Sequence, residues 1–240
     1  MKKICLFGND KSEGLHLLKD SLIQLGAEVV YSPVPLHSPK GVYYNVGWGR
    51  SGGDLNKTLP PNKLWELQQC IKADVQTVPL FPCSPEIMSN KYNVWFGRKL
   101  KHTQGKDIIR VVGNNLSKVT KRDFWTLEIE KLAEYRVHVF NGVRIRCGTK
   151  TEKDTGKTQI DNPIWNLKNG MQIRYETPSP LQARKLAIAA VKACGLDYSA
   201  VDIIQGTDEK FYVLELNCRP GLHGNTAVVY AKAILDSLPA

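Results

Sequence analysis

The chain has 240 residues, a net charge of +10 and 42% hydrophobic residues. That length holds one large domain or two small ones around an adequate core, and no apolar run reaches the roughly 18 residues of a transmembrane helix. The positive balance favours an acidic partner, whether a nucleotide, an acidic peptide or a nucleic acid, although the basic residues are spread along the chain rather than blocked together.

Met1-Lys2-Lys3 and the short run Ile4 to Phe7 are too brief for a signal peptide and read as a buried first strand over 3–7. A loop over 8–14, an amphipathic helix over 15–25 ending at Gly26 and a second strand over 27–31 make a small α/β opening. Gly8 and Gly14 do not complete a G-x-G-x-x-G fingerprint. Residues 32–62 are rich in Pro, Gly, Ser and Asn and read as an irregular segment, with Gly47 to Gly53 carrying Trp48 and Arg50 as a candidate grip for an acceptor substrate. A helix is predicted over 63–73, followed by extended chain enforced by Pro79, Pro82 and Pro85. Strands are predicted over 95–100 and 108–112, and a hairpin pairs 134–140 with 143–148 around Asn141-Gly142. Ser179-Pro180-Leu181-Gln182 reads as a capping box opening a helix that Gly195 closes.

The six cysteines (Cys5, Cys70, Cys83, Cys147, Cys194, Cys218) show no C-x-x-C spacing and no histidine pairing, which argues against zinc and for reduced thiols in a cytoplasmic protein. The chemistry is concentrated near the end. Val201 to Ile204 and Phe211 to Asn217 flank a polar turn and read as an antiparallel hairpin. Alternation puts Glu215 and Asn217 on one face, and with Ile204 opposite Phe211, Asp202 lies diagonal to Glu215 at about 7–8 Å. Oxygen ligands so placed suit Mg²⁺, which is commonly shared with substrate phosphates. Upstream, Arg98-Lys99 precede Thr103-Gln104-Gly105-Lys106, a basic strand end and small polar loop suited to phosphate oxygens.

These pieces resemble the ATP-grasp carboxylate–amine ligases, and the end of the chain is similar to the ribosomal-protein glutamate ligases within that superfamily. The resemblance rests on Gly195 to Ile203, Val213 to Leu222, Thr103 to Ile108 and Glu134 to Val137, and covers roughly residues 60–236. It implies a mixed α/β (α+β) ATP-grasp fold, two lobes clasping ATP. A short α/β unit over 1–60 would precede an ATP-grasp domain over 61–240, with its small lobe at about 90–127 and its large lobe at about 128–240.

The resemblance further implies that Asp202, Glu215 and Asn217 hold Mg²⁺, with Mn²⁺ as the alternative cation, and that Thr103, Gln104, Gly105 and Lys106 close over the ATP phosphates. Glu128 and Ile129 would meet adenine at the hinge, Glu134 the ribose, and Lys63 the phosphates. Arg136 would meet phosphate or substrate, and Arg146 and Arg219 would stabilise an acyl-phosphate. Arg98 stands where that family usually has a lysine, and strand alternation lets only one of Arg98 and Lys99 face the nucleotide. The implied reaction activates a carboxylate, such as that of an amino acid, and joins it to an amine, either small or on a macromolecule such as an acidic protein or a nucleic acid; no membrane is involved. The alternative is a nucleic-acid- or protein-binding module that keeps a degenerate form of the same fold.

Overall fold

β1 (Lys3–Gly8) carries an uninterrupted apolar run because it is covered on both sides, as parallel strands are. It lies between β2 (Val29–Ser32) and β3 (Tyr43–Trp48), parallel to both. α1 (Glu13–Gln24) crosses between β1 and β2 and buries Leu15, Leu18 and Leu22. This computed structural model describes residues 3–9, 11–37, 43–81, 94–100, 108–112, 122–153, 170–175 and 179–239.

β3 corrects the expectation of an irregular stretch over 32–62. Its partner is 40 positions away in the register Lys3↔Tyr43, a long-range pairing that local composition does not announce. Gly47 is needed inside it: an added Cβ would lie 2.3 Å from the Arg50 carbonyl oxygen and 2.7 Å from the Phe7 ring.

α2 (Lys63–Lys72) begins at Asn62, whose side chain accepts the Trp65 N–H at 2.9 Å, an N-cap that satisfies one of the free first-turn donors. β4 (Leu80–Phe81), β5 (Val94–Arg98), β6 (Ile109–Val112) and β7 (Phe124–Leu127) form an antiparallel sheet in the order β4-β7-β5-β6 around Trp95, Val111 and Trp125.

Residues Glu128 to Glu130 lead directly into β8 (Lys131–Phe140), the centre of a third sheet. That sheet has the order β10-β9-β8-β11-β12 and comprises β9 (Val143–Glu152), β10 (Met171–Arg174), β11 (Tyr198–Gly206) and β12 (Phe211–Asn217). The β8–β9 turn is as predicted, with Asn141 and Gly142 both at positive φ (45° and 73°) as a type I′ turn requires.

One face of this sheet packs Tyr135, Val137, Val139, Val201, Ile203 and Val213 against α3 (Leu181–Ala193), whose buried contact residues include Ala183, Ala187 and Ala190. α3 starts differently from the expected capping box. Pro180 is its N-cap, no side chain caps it, and the Ser179 hydroxyl instead accepts from Arg184 Nε at 3.0 Å. Its end is as predicted: Gly195 (φ +64°) and Leu196 donate back to Lys192 and Val191, a Schellman closure.

α4 (Thr226–Asp236) returns to lie against α1, so the N-terminal sheet shares a core with Phe140, Tyr198 and Tyr230.

Candidate functional site

Strand alternation on β8 turns Glu134, Arg136 and His138 to the face opposite α3. There they meet Asp202 from β11, Lys150 from β9 and Glu215 from β12. Asp202 is paired with Arg136 on one side and with Glu215 on the other. The predicted diagonal placement of Asp202 is thus corrected to a direct one. Phe211 faces Gln205 rather than Ile204, and an irregularity between Asp202 and Ile203 slips Leu214 out of the ladder, bringing the two acids level.

Asp202 is 1% exposed. Arg136 grips it as a fork, Nε to Oδ1 and Nη2 to Oδ2, both 2.7 Å, and Lys150 Nζ adds a third contact at 3.1 Å. Lys150 also bonds Glu134, whose other oxygen receives Lys131 at 2.8 Å. Burial by itself would raise the Asp202 and Glu134 carboxyls. The adjoining cations outweigh it, so both are held below the usual carboxylate range. Burial likewise opposes charge on Lys150, and Asp202 with Glu134 reverse the effect and raise it.

Glu215 makes no ion pair among the described residues; its Oε1 accepts from Asn217 Nδ2 at 3.1 Å. Asn217 Oδ1 and the Glu215 carboxylate are therefore the oxygens of this face least committed to protein cations. No three His, Cys, Asp or Glu residues converge among the described residues, so a metal here would rely on few protein ligands. That fits Mg²⁺, which uses one or two carboxylates and completes its shell with water and phosphate oxygens.

The strand carrying these oxygens is held firmly. Val213 exchanges backbone bonds with Gln76 and Val78, Glu66 Oε2 accepts the Leu216 N–H at 3.3 Å, and Lys63 Nζ donates to the Leu216 carbonyl. Lys63, predicted on phosphate, thus sits against the β12 backbone and Glu66. Burial lifts the Glu66 carboxyl to about 7, against the pull of Lys63.

Arg98 is buried in β5 with Nε on Thr126 Oγ1 at 3.2 Å, while Lys99 is exposed. Burial lowers the Arg98 guanidinium, and the fields of Glu215 and Glu134 partly offset this. Glu128 pairs with Arg110 at 2.8 Å and donates its N–H to Val94, and Ile129 packs against the core under α3. Arg146 lies 3.9 Å over the Tyr175 ring, beside His138 in the ladder. Arg219 is placed beyond the end of β12, across Gly49. The candidate loop residues Thr103, Gln104, Gly105 and Lys106 lie outside the described residues.

Sequence reasoning missed Lys131, Lys150, Glu66 and His138. Lys150 was accessible in principle from the Asn141-Gly142 hairpin, but a shift between His138 and Val139 moves the register by one residue. It also misjudged Trp48. That ring is 1% exposed and stacks on Tyr198 at 5.4 Å, so it forms no surface grip with the exposed Arg50.

Residues 165–238 match the family described as the RimK-like ATP-grasp domain. Over 128 residues the chain is 28% identical to the probable alpha-L-glutamate ligase 1 of Shewanella sp. strain W3-18-1, a match covering 52% of this chain and 42% of that protein. The match thus spans less than half the length of this curated relative. Among solved structures, the ATP-grasp ligase PsnB complexed with minimal precursor superposes with a TM-score of 0.72 at 13% identity, covering 99% of this chain and all of the other. A RiPP-associated ATP-grasp ligase from Chryseobacterium gregarium, in complex with ADP and a leader and core peptide, gives 0.64 at 13% identity over 100% and 98% of the two chains. The chain has the fold of these ATP-grasp ligases, and its C-terminal part is similar to the RimK-like ATP-grasp domain.

Proposed function

We propose that the protein is an ATP-dependent carboxylate–amine ligase, forming an amide or peptide bond with release of ADP and phosphate. The observation that carries this reading is one sheet face on which buried Asp202 and half-buried Glu215 stand level beside half-buried Asn217, with Lys131, Arg136 and Lys150 on the same face and Arg98 within the field of its carboxylates. A triphosphate is strongly anionic, and such a face offers fixed cations for its oxygens and hard oxygen ligands for its metal. Glu215, Asn217 and Asp202 would hold Mg²⁺, and Mn²⁺ would use the same donors. The metal supplies charge neutralisation at the phosphates when bound.

The chain's own residues do the rest by position. Arg98 reaches the site from the four-stranded sheet and the carboxylates from the five-stranded one, so nucleotide bound between the sheets would be clasped from two sides. Arg136 and Lys150 fix the Asp202 carboxylate in its ionised form. Arg146, held against Tyr175, has a buried Nη1 with no partner, a donor suited to an acyl-phosphate oxygen. The glutamate ligases among its relatives make glutamate the first acid to try, with an amine on an amino acid, peptide or protein as acceptor. No described helix is long and apolar enough to cross a membrane, and the described cysteines are free, which supports a cytoplasmic setting.

The test is phosphate and ADP release from Mg-ATP by the purified protein given L-glutamate and a pool of amino acids and peptides. ADP formation dependent on both acid and amine, and lost in Glu215→Gln, supports the reading. AMP and pyrophosphate would replace it with adenylation, and no nucleotide turnover with any pair would overturn it.

A further inference from the structure

β1 and β3 run parallel and end side by side at Gly8 and Trp48, and a crevice beyond the carboxyl ends of parallel strands is where α/β units bind ligands. Here that crevice is a cleft of about 260 Å³. Its walls are the first turn of α1 and the segment after β12, and they include Asn9, Lys11, Gly14, Trp48, Arg219 and His223.

Four features give it a chemical preference. The first-turn N–H groups of a helix lack intrahelical acceptors and carry the positive end of its dipole. Ser12, at the N-cap, makes no side-chain cap bond there. Lys11 and Arg219 add two cations, against one carboxylate from Glu13. The Arg219 stem lies flat on Gly49, where an added Cβ would be 2.9 Å from Arg219 Cβ and Cδ, so the glycine fixes the way that side chain leaves the backbone.

The fourth feature is independent of the helix terminus. Trp48 is 1% exposed, and its Nε1–H has no acceptor. A buried donor left unpaired is costly and calls for an explanation. Tyr198 stacks on the indole, and Tyr230 meets it edge-on, both at 5.4 Å. Gly14 lies beside the indole nitrogen: a Cβ added there would be 3.4 Å from Nε1 and 3.8 Å from the Pro220 carbonyl oxygen.

We propose that this cleft binds the carboxylate of an amino-acid-sized substrate, held by Lys11, Arg219 and the first turn of α1, with the Trp48 indole N–H as a further donor. The cleft, at about 260 Å³, is small for a nucleotide, and the cations and N–H donors of its lining suit one anionic group. It opens two residues beyond Asn217, so a substrate anchored there extends toward the metal-binding oxygens. This assignment rests on the ligase reading for its role and on the cleft geometry alone for its binding.

Binding is therefore read without ATP. The ¹⁵N-labelled protein is titrated with L-glutamate, and the Trp48 indole N–H resonance, identified by its loss in Trp48→Phe, is followed. A saturable shift of that resonance is expected with L-glutamate and not with its dimethyl ester. Lys11→Met should weaken the affinity by about tenfold, the worth of one charge-assisted hydrogen bond. Gly14→Ala, a change the helix backbone accepts readily, should weaken it as well by closing the space beside Nε1. An unmoved Trp48 resonance overturns the proposal even if ADP release shows a working ligase. So does an equal shift with the ester, tighter binding of inorganic phosphate, or unchanged affinity in both Lys11→Met and Gly14→Ala. A Trp48 shift with these dependences supports the cleft even if no ligase turnover is found.

Discussion

Lys150 is the hub of the buried charge network, and its removal has a magnitude that the contacts set. Taking one partner from a buried ion pair costs about 3–5 kcal/mol, because a charge is left uncompensated. In Lys150→Met, Glu134 keeps Lys131 and Asp202 keeps both bonds from Arg136, so the loss belongs at the lower end, about 3 kcal/mol. Asp202→Asn leaves Arg136 without its carboxylate and Lys150 with Glu134 alone, so it should cost more, about 5 kcal/mol. Equilibrium urea unfolding reads both. With a slope of about 1–3 kcal/mol/M, the Lys150→Met midpoint should fall by at least about 1 M. The double variant should lose less than the sum of the two, since contacting charges couple by roughly 0.5–3 kcal/mol. A Lys150→Met loss below about 1 kcal/mol, or additivity within about 0.5 kcal/mol, would refute the network as the element that fixes Asp202.

His138 lies between the Tyr230 and Tyr175 hydroxyls at 3.2 and 3.1 Å, and burial, reinforced by Arg136, pushes its pKa down to about 3. The unfolded chain takes up that proton first, so His138 contributes a fall in stability of about 1.4 kcal/mol per pH unit below about pH 6.5, which Glu66, protonated in the folded chain below about 7, offsets over the same range. His138→Gln should remove the His138 contribution alone, so between pH 6 and 4.5 its stability relative to wild type should rise by about 1.4 kcal/mol for each unit the pH falls; a constant difference would place the titration elsewhere. Arg98→Ala should raise the KM for ATP at least about tenfold, while the solvent-facing Lys99→Ala stays near wild type; similar effects in steady-state kinetics would contradict the placement of β5. Gly49→Ala adds a Cβ at φ +68° and 2.9 Å from the Arg219 side chain, so thermal unfolding should show a loss of about 1–3 kcal/mol, and glutamate binding should weaken.

Much of this was legible in the sequence for local reasons. The Asn141-Gly142 hairpin, the Gly195 helix stop and the alternation that puts Glu215 with Asn217 depend on neighbouring residues only. What was not legible depends on distant chain. β3 exists because β1 pairs with it, and Trp48 is core because Tyr198 and Tyr230 arrive from near the other terminus. The direct opposition of Asp202 and Glu215 and the reach of Lys150 to Glu134 both follow from one-residue register shifts. A shift of that size moves side chains between faces, and propensity does not reveal it. The buried partners of Asp202 likewise required the β8–β11 pairing, which joins residues 66 positions apart.

Oxygen tracing distinguishes acyl-phosphate chemistry on the Asp202–Glu215–Asn217 face from every other use of ATP there. L-Glutamate labelled with ¹⁸O in its carboxylates would be supplied with Mg-ATP and an amine acceptor, and the released phosphate examined by mass spectrometry. If the γ-phosphoryl group is transferred to the carboxylate and displaced by the amine, one labelled oxygen leaves with each phosphate formed, and Glu215→Gln abolishes that transfer. Unlabelled phosphate accompanying product, or label recovered in AMP, would rule out an acyl-phosphate on this face.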